Sequence, residues 1–292
     1  MKANTGYSPG RHSKPSSLYT ETLNILRQHR IFPKKHLGQN FVVDDSLLQS
    51  MIAYANVSVN DVVLEVGAGL GALTRLLSPR AREVIAVERD TKLIPILHRQ
   101  LSGLNNVSLI EGDVLTAEVP FFDRVVSTPP YSISSPLLFW LLAKPFKLAV
   151  LAFQEEFARR LTAAVGSKDY SRLTVSTYYR ADVELLDHVS KIQFYPPPDV
   201  DSTIVRLKPK PTPFKVKDEK AFFSLVQAVF TQRNKKLRNA IMPFLKKRGV
   251  AKEKARALAD SLTFHDKRVR ELAPEDFGAL ANEILEKDSL LR

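Results

Sequence analysis

Three acidic residues and one proline-rich turn stand where chemistry is possible. The first acid lies in the apolar run Val62-Val63-Leu64-Glu65-Val66, which leads directly into Gly67-Ala68-Gly69-Leu70-Gly71. Glycine at alternate positions lets a ligand approach the backbone closely, because no Cβ intervenes. From Ala72 to Leu77 the apolar spacing turns helical, so the loop opens a helix. Strand, glycine loop and helix make a nucleotide-type site at the carboxyl end of a parallel strand. The spacing is G-x-G-x-G, however, and not the G-x-G-x-x-G of dinucleotide binders. No Lys-Ser/Thr pair follows to hold a triphosphate. A nucleoside ligand without phosphates fits better, and S-adenosylmethionine is the common one. A plain tight turn is the alternative reading.

The second acid, Glu88, ends the next apolar run, 21 residues after Gly67. A carboxylate there can accept hydrogen bonds from both hydroxyls of a ribose, or stand as a solvated strand end. Asp113, in Glu111-Gly-Asp113, follows a third run and can accept from an adenine amino group, or simply cap a turn. The three acids fall at successive strand ends in the right order, which is more telling than any one of them. A fourth run opens into Thr128-Pro129-Pro130-Tyr131. Two prolines fix an extended turn and remove two amide donors, leaving carbonyls free to accept. The tyrosine that follows is placed to stack on something flat. A base pocket explains this combination: a purine amino group donates to the turn while the ring lies on Tyr131. A plain turn with a packed tyrosine is the simpler alternative.

The elements that must hold these residues alternate. The patterns predict strands at 61–66, 83–88, 106–110, 122–127 and 147–153, and helices at 71–78, 91–101, 134–143 and 154–165. Such alternation predicts a parallel sheet covered on both faces. Two antiparallel strands are expected near 182–190 and 201–208. The proline-studded Lys208–Pro213 then acts as a linker. Beyond it only helical patterns occur, at 218–231, 233–248, 251–260 and 274–287. Residues 18–30 read as a short helix, 31–44 as a loop, and 47–55 carry helical spacing; 1–17 look disordered. The expected organisation is an extension over 1–30, a Rossmann-like domain over 31–208 and a small all-helical domain over 209–292.

Charge points to a partner. The net charge is +12, but residues 41–205 hold 15 Lys and Arg against 19 acids, whereas 206–248 hold 13 against 2. A polyanion such as nucleic acid suits that distribution, a basic surface without a partner being the blander reading. Arg233, Lys235, Lys236 and Arg238 crowd into six residues, and 235 and 238 share a face if the segment is one helix. Such contacts would bind phosphates and carry little sequence information. There is no cysteine, which excludes thiolate metal sites and disulfides, and 6 scattered histidines make a metal site unexpected. No apolar run reaches the length of a membrane span, and no secretory signal is visible. A cytoplasmic monomer is expected.

The sequence resembles the KsgA-type rRNA adenine dimethyltransferases, most closely archaeal members. The resemblance runs from about Lys34 onward. It is carried by Lys35-His-Leu-Gly-Gln-Asn-Phe41, Glu65-Val-Gly-Ala-Gly-Leu-Gly71, Glu88, Glu111-Gly-Asp113 and Thr128-Pro-Pro-Tyr-Ser-Ile-Ser-Ser-Pro136. Further on it is carried by Gly166–Thr174, Phe194–Ser202 and Arg233–Asn239. It implies a Rossmann-like, S-adenosylmethionine-dependent methyltransferase domain with a small C-terminal all-helical domain. It implies that Asn40 and Val42 pack at the cofactor, with Gly67, Glu88 and Asp113 at its methionine, ribose and adenine parts. Tyr131 and Phe194 would face the two sides of the target adenine. The implied reaction is dimethylation of two adjacent adenosines near the 3′ end of small-subunit rRNA, in a pre-ribosomal particle. One position departs from the family pattern. Its turn begins with Asn, and this chain has Thr128, whose hydroxyl can accept a hydrogen bond but is shorter and branched. In the catalytic reading Thr128 and Pro129 are the acceptors; the loss of Asn leaves open the alternative of a non-catalytic rRNA-binding assembly factor.

Overall fold

The computed structural model describes residues 16–34 and 37–291. Of the expected extension over 1–30, residues 1–15 lie outside the described residues. Ser16 caps α1 (Ser17–Gln28), its hydroxyl accepting from the Tyr19 amide at 3.0 Å. Then come β1 (Phe41–Val42) and α2 (Asp45–Ala55), which is capped by Asp44.

The alternating region builds β2 (Val62–Val66), α3 (Ala72–Leu77), β3 (Glu83–Glu88), α4 (Ile94–Leu101), β4 (Val107–Glu111), β5 (Arg124–Ser127), α5 (Ser134–Leu142), β6 (Leu148–Gln154) and α6 (Glu155–Leu161). These are followed by α7 (Arg172–Arg180), β7 (Ala181–Val189), β8 (Phe194–Tyr195) and β9 (Ser202–Pro209). The main sheet has the order β4-β3-β2-β5-β6-β9-β7. Its first five strands are parallel, and β9 runs antiparallel to both β6 and β7. The expected Rossmann-like sheet is therefore present. The chain winds outward from β2 in both directions, so the switch point lies at the carboxyl ends of β2 and β5.

Strand β2 shows how the layers form. Val62, Leu64 and Val66 join a cluster with Leu137, Leu138 and Leu141 of α5, while Val63 joins one with Leu48 and Met51 of α2 and Leu77 of α3. Side chains alternate across a strand, and both faces are covered, so nearly the whole run is apolar. Glu65 is the exception, and it shares the α3 side with Val63.

Three elements differ from the sequence reading. Helix α7 lay in a stretch with no assigned element. Its sequence, Arg-Leu-Thr-Val-Ser-Thr-Tyr-Tyr-Arg, is rich in β-branched and aromatic residues of low helix propensity. Tertiary packing overrides that preference, because Leu173 enters the sheet core and Val175 and Tyr179 enter the helical core. The expected helix over 233–248 is broken. Residues 231–235 form a turn, followed by α9 (Leu237–Ala240) and α10 (Met242–Lys247), and Pro243 stands at the start of α10. The shared helical face for Lys235 and Arg238 therefore does not exist. Finally, the supposed loop 31–44 contains β1, which pairs with β8, joining Phe41 to Tyr195 and Val42 to Phe194.

The remaining helices are α8 (Glu219–Phe230), α11 (Lys252–Ser261) and α12 (Pro274–Leu291). With α9 and α10 they bury Phe222, Leu237, Leu258 and Phe277 in one core, which also takes in Tyr170 from the loop before α7. No described helix is long and apolar enough to cross a membrane.

Candidate active site

All of the sequence-predicted donor and base residues line a single cleft at the switch point: Asn40, Val42, Gly67, Glu88, Asp113, Thr128, Pro129, Tyr131 and Phe194. The cleft is open to solvent at its mouth and is lined by apolar side chains with a few polar groups among them, as a small-molecule site is.

Its floor is the glycine loop. Gly67 and Ala68 donate to the Val87 carbonyl at 2.8 and 3.1 Å, which clamps the loop against the end of β3. Gly67 has φ +80° and Gly69 φ +59°, a region that side chains disfavour. A Cβ on Gly67 would stand 3.1 Å from Cδ of Pro130, and one on Gly69 3.3 Å from the Phe41 ring. The loop is thus confined between the base-side turn and β1.

The acids sit along one side. Glu88 is 8% exposed and accepts from the Gly69 amide at 2.9 Å and the Asp90 amide at 2.8 Å. Burial pushes its carboxyl above the ordinary range, and the backbone donors pull part of that back. Asp113 accepts from the Leu115 amide at 3.0 Å and pairs with Arg89 at 3.2 Å. It therefore caps its turn and faces the cleft at once. Glu65 is 2% exposed, takes a 2.6 Å hydrogen bond from the Thr74 hydroxyl, and is pushed up to about 8, chiefly by burial and further by Glu88.

On the other side the Ser127 hydroxyl donates to the Val66 carbonyl at 2.6 Å, tying the proline turn to β2. The Thr128 hydroxyl has no hydrogen-bond partner among the described residues and remains available as an acceptor. Tyr131 and Phe194 come together with ring centroids 6.5 Å apart, but at 69° to each other, edge to face. A base between them requires one ring to turn. Phe194 is 3% exposed and packs in the sheet core, while the Tyr131 hydroxyl shares a 2.7 Å hydrogen bond with the fully buried Ser202 hydroxyl. That bond was not legible in the sequence, because 71 residues separate the partners. Removing it with Ser202→Ala should lower turnover about threefold to tenfold, the value of one hydrogen bond. Steady-state rates of the variant check this.

The residues fit S-adenosylmethionine. Arg89 is the one basic side chain among the described lining residues, and the acids Glu88, Asp90 and Asp113 outnumber it. Such a lining disfavours a phosphate group and suits hydroxyl, amino and cationic groups.

The basic cluster behaves differently from expectation. Arg233 donates to the Tyr170 carbonyl at 3.0 Å, and Lys236 and Arg238 pair with Asp266 at 2.8 and 3.4 Å. Of the four residues, Lys235 is the exposed one. The turn 233–238 pairs instead with 265–270, through a bridge between Lys236 and Arg268. That second segment adds the exposed Lys267 and Arg268. The run His265-Asp-Lys-Arg-Val-Arg270 was a visible signal, masked by the acids around it.

The model of ribosomal RNA adenine dimethylases matches residues 32–284. The chain belongs to that family. Among its relatives, the "probable ribosomal RNA small subunit methyltransferase A" of Methanosarcina acetivorans is 46% identical over 254 residues, covering 86% of this chain and 93% of the relative. The protein of the same description from Thermococcus kodakarensis is 39% identical over 271 residues, covering 92% and 95%. Among solved structures, a dimethyladenosine transferase from Plasmodium falciparum superposes with a TM-score of 0.70 at 30% identity, over 85% of this chain and 98% of that one. The 23S rRNA methyltransferase ErmE gives 0.60 at 30% identity, over 84% and 99%. Members of the family use S-adenosylmethionine.

Proposed function

We propose that this chain dimethylates the exocyclic amino groups of two adjacent adenosines near the 3′ end of small-subunit rRNA, within a pre-ribosomal particle in the cytoplasm. The observation that carries this reading is the convergence of donor-side and base-side residues, far apart in sequence, on one cleft. When bound, S-adenosylmethionine supplies a methyl group activated by its sulfonium. Glu88 accepts from the ribose hydroxyls, Asp113 from the adenine amino group, and Asn40, Val42 and Gly67 enclose the remainder. The Thr128 hydroxyl and the Pro129 carbonyl accept from the two hydrogens of the target amino group. That keeps the nitrogen pyramidal and directs its lone pair into the cleft. The turn's acceptors, not a base, prepare the nitrogen, and its proton leaves to solvent after each transfer. Holding the partners in line can supply up to roughly 7–11 kcal/mol. Everting the base costs a few kcal/mol, and stacking on Tyr131 and Phe194 offsets roughly 1–3 of it per base. Lys235, with Arg233, Lys236 and Arg238 behind it, binds rRNA phosphates, and the helices after the proline linker form the RNA-docking unit.

Small subunits from cells lacking the protein, incubated with the purified protein and labelled donor, should acquire dimethyladenosine in the 3′ fragment of the rRNA, as mapped by mass spectrometry. Particle binding without label would favour the assembly-factor reading that Thr128 leaves open. Label in the large subunit would change the target. Tyr131→Ala should lower kcat/KM for particles about tenfold to a hundredfold, in line with the loss of one stacked base, while donor affinity stays within about twofold. Calorimetry with the donor separates the two effects, and weakened donor binding at normal turnover would contradict the assignment.

A further inference from the structure

The two halves of the cleft are joined by a contact that the proposed reaction does not use. Asp90 is 5% exposed. Its carboxylate accepts from the Lys34 ammonium at 2.9 Å and from the Gln39 side-chain amide at 2.7 Å, and the Gln39 carbonyl oxygen in turn accepts from the Lys34 amide at 2.8 Å. On its other side, the Asp90 amide donates to Glu88. The segment that Lys34 and Gln39 belong to reaches the base side: a Cβ on Gly38 would lie 3.4 Å from Cβ of Pro130 and 3.5 Å from the Tyr131 amide nitrogen. Leu37, Gly38, Gln39 and Asn40 all line the cleft.

We propose that Asp90 is a positioning residue, whose carboxylate fixes Lys34 and Gln39 so that Gly38 and Asn40 set the donor side and the proline turn in one arrangement. The inference rests on the reading of the cleft as a donor site. Burial raises the Asp90 carboxyl, yet Lys34, the Lys92 amide and Gln39 together bring it below the ordinary range, so the group is ionised as this role requires. Asp90 also caps the turn into α4, accepting from the Lys92 amide at 3.1 Å. Removing its side chain outright would therefore damage the fold as well as the contact.

A reciprocal exchange avoids that damage. Gln39→Glu places a carboxylate against the Asp90 carboxylate, and is expected to weaken S-adenosylhomocysteine binding about tenfold. Adding Asp90→Asn restores a donor–acceptor pair at the same place, and binding should return to within about threefold of the parent. Isothermal calorimetry on the full chain reads both. A parent chain that binds neither S-adenosylhomocysteine nor S-adenosylmethionine would sink the functional reading itself. A parent that binds, with Gln39→Glu binding equally well or the exchange giving no recovery, overturns the role of Asp90 alone.

Discussion

Replacing Glu88 by Ala should weaken donor binding about a hundredfold or more, with far less effect on turnover once donor is saturating. The carboxylate has two duties. It holds the Gly69 and Asp90 amides, and its remaining lone pairs face the cleft where ribose hydroxyls would donate. Hydrogen bonds to a charged group are worth roughly 1.5–3 kcal/mol each, so losing a pair reaches the stated size. Glu88→Gln should do little better. An amide nitrogen in that place confronts the Gly69 or Asp90 amide, donor against donor. Affinity should also decline as the pH is lowered through the raised titration of Glu88, because the protonated carboxyl presents a hydrogen where a lone pair is needed. Calorimetry of the donor across pH, with thermal melting to verify folding, tests both statements. Unchanged affinity in a folded Glu88→Ala protein would put the ribose elsewhere.

The glycine-loop side of the cleft was legible because local signals coincide there. Val62–Val66 and Gly67–Gly71 lie in one strand-loop-helix unit, and Glu88 and Asp113 end the next two strands, so each position follows from its neighbours. The facing turn was legible as well, since Thr128-Pro-Pro-Tyr131 fixes its own shape. What could not be read was long-range pairing. Val42 and Phe194 are register partners across 152 residues, and no periodicity in a two-residue strand announces that. Asp90 carried no signal in the sequence, because Lys34 and Gln39 reach it from 56 and 51 residues away. The break at 231–236 escaped for a related reason. Its residues carry good helix formers, but their backbone groups pair with 265–270. Local propensity decides an element only where no distant partner competes for its hydrogen bonds.

Glu65 gives the second large effect, this time in stability. In the folded chain its carboxyl titrates near 8, against an ordinary value of 4.5. Between those two values the folded state keeps the proton and the unfolded state has released it. Stability therefore declines as pH rises across that window, by about 1.4 kcal/mol per pH unit, and the full contribution is present only below the ordinary value. Glu88 adds to the effect, because two ionised carboxylates on neighbouring strands would repel. Glu65→Gln preserves shape and keeps an oxygen to accept from the Thr74 hydroxyl, but has no proton to lose. The variant should match the parent near pH 5 and exceed it by about 2 kcal/mol or more at pH 7.5. At roughly 2–4 °C per kcal/mol, the midpoints should separate by at least about 4 °C. Calorimetric melting of both proteins over pH 5 to 8 reads the difference. Parallel curves would mean that Glu65 is ionised in the folded protein, and that the strand beneath the glycine loop carries a buried negative charge.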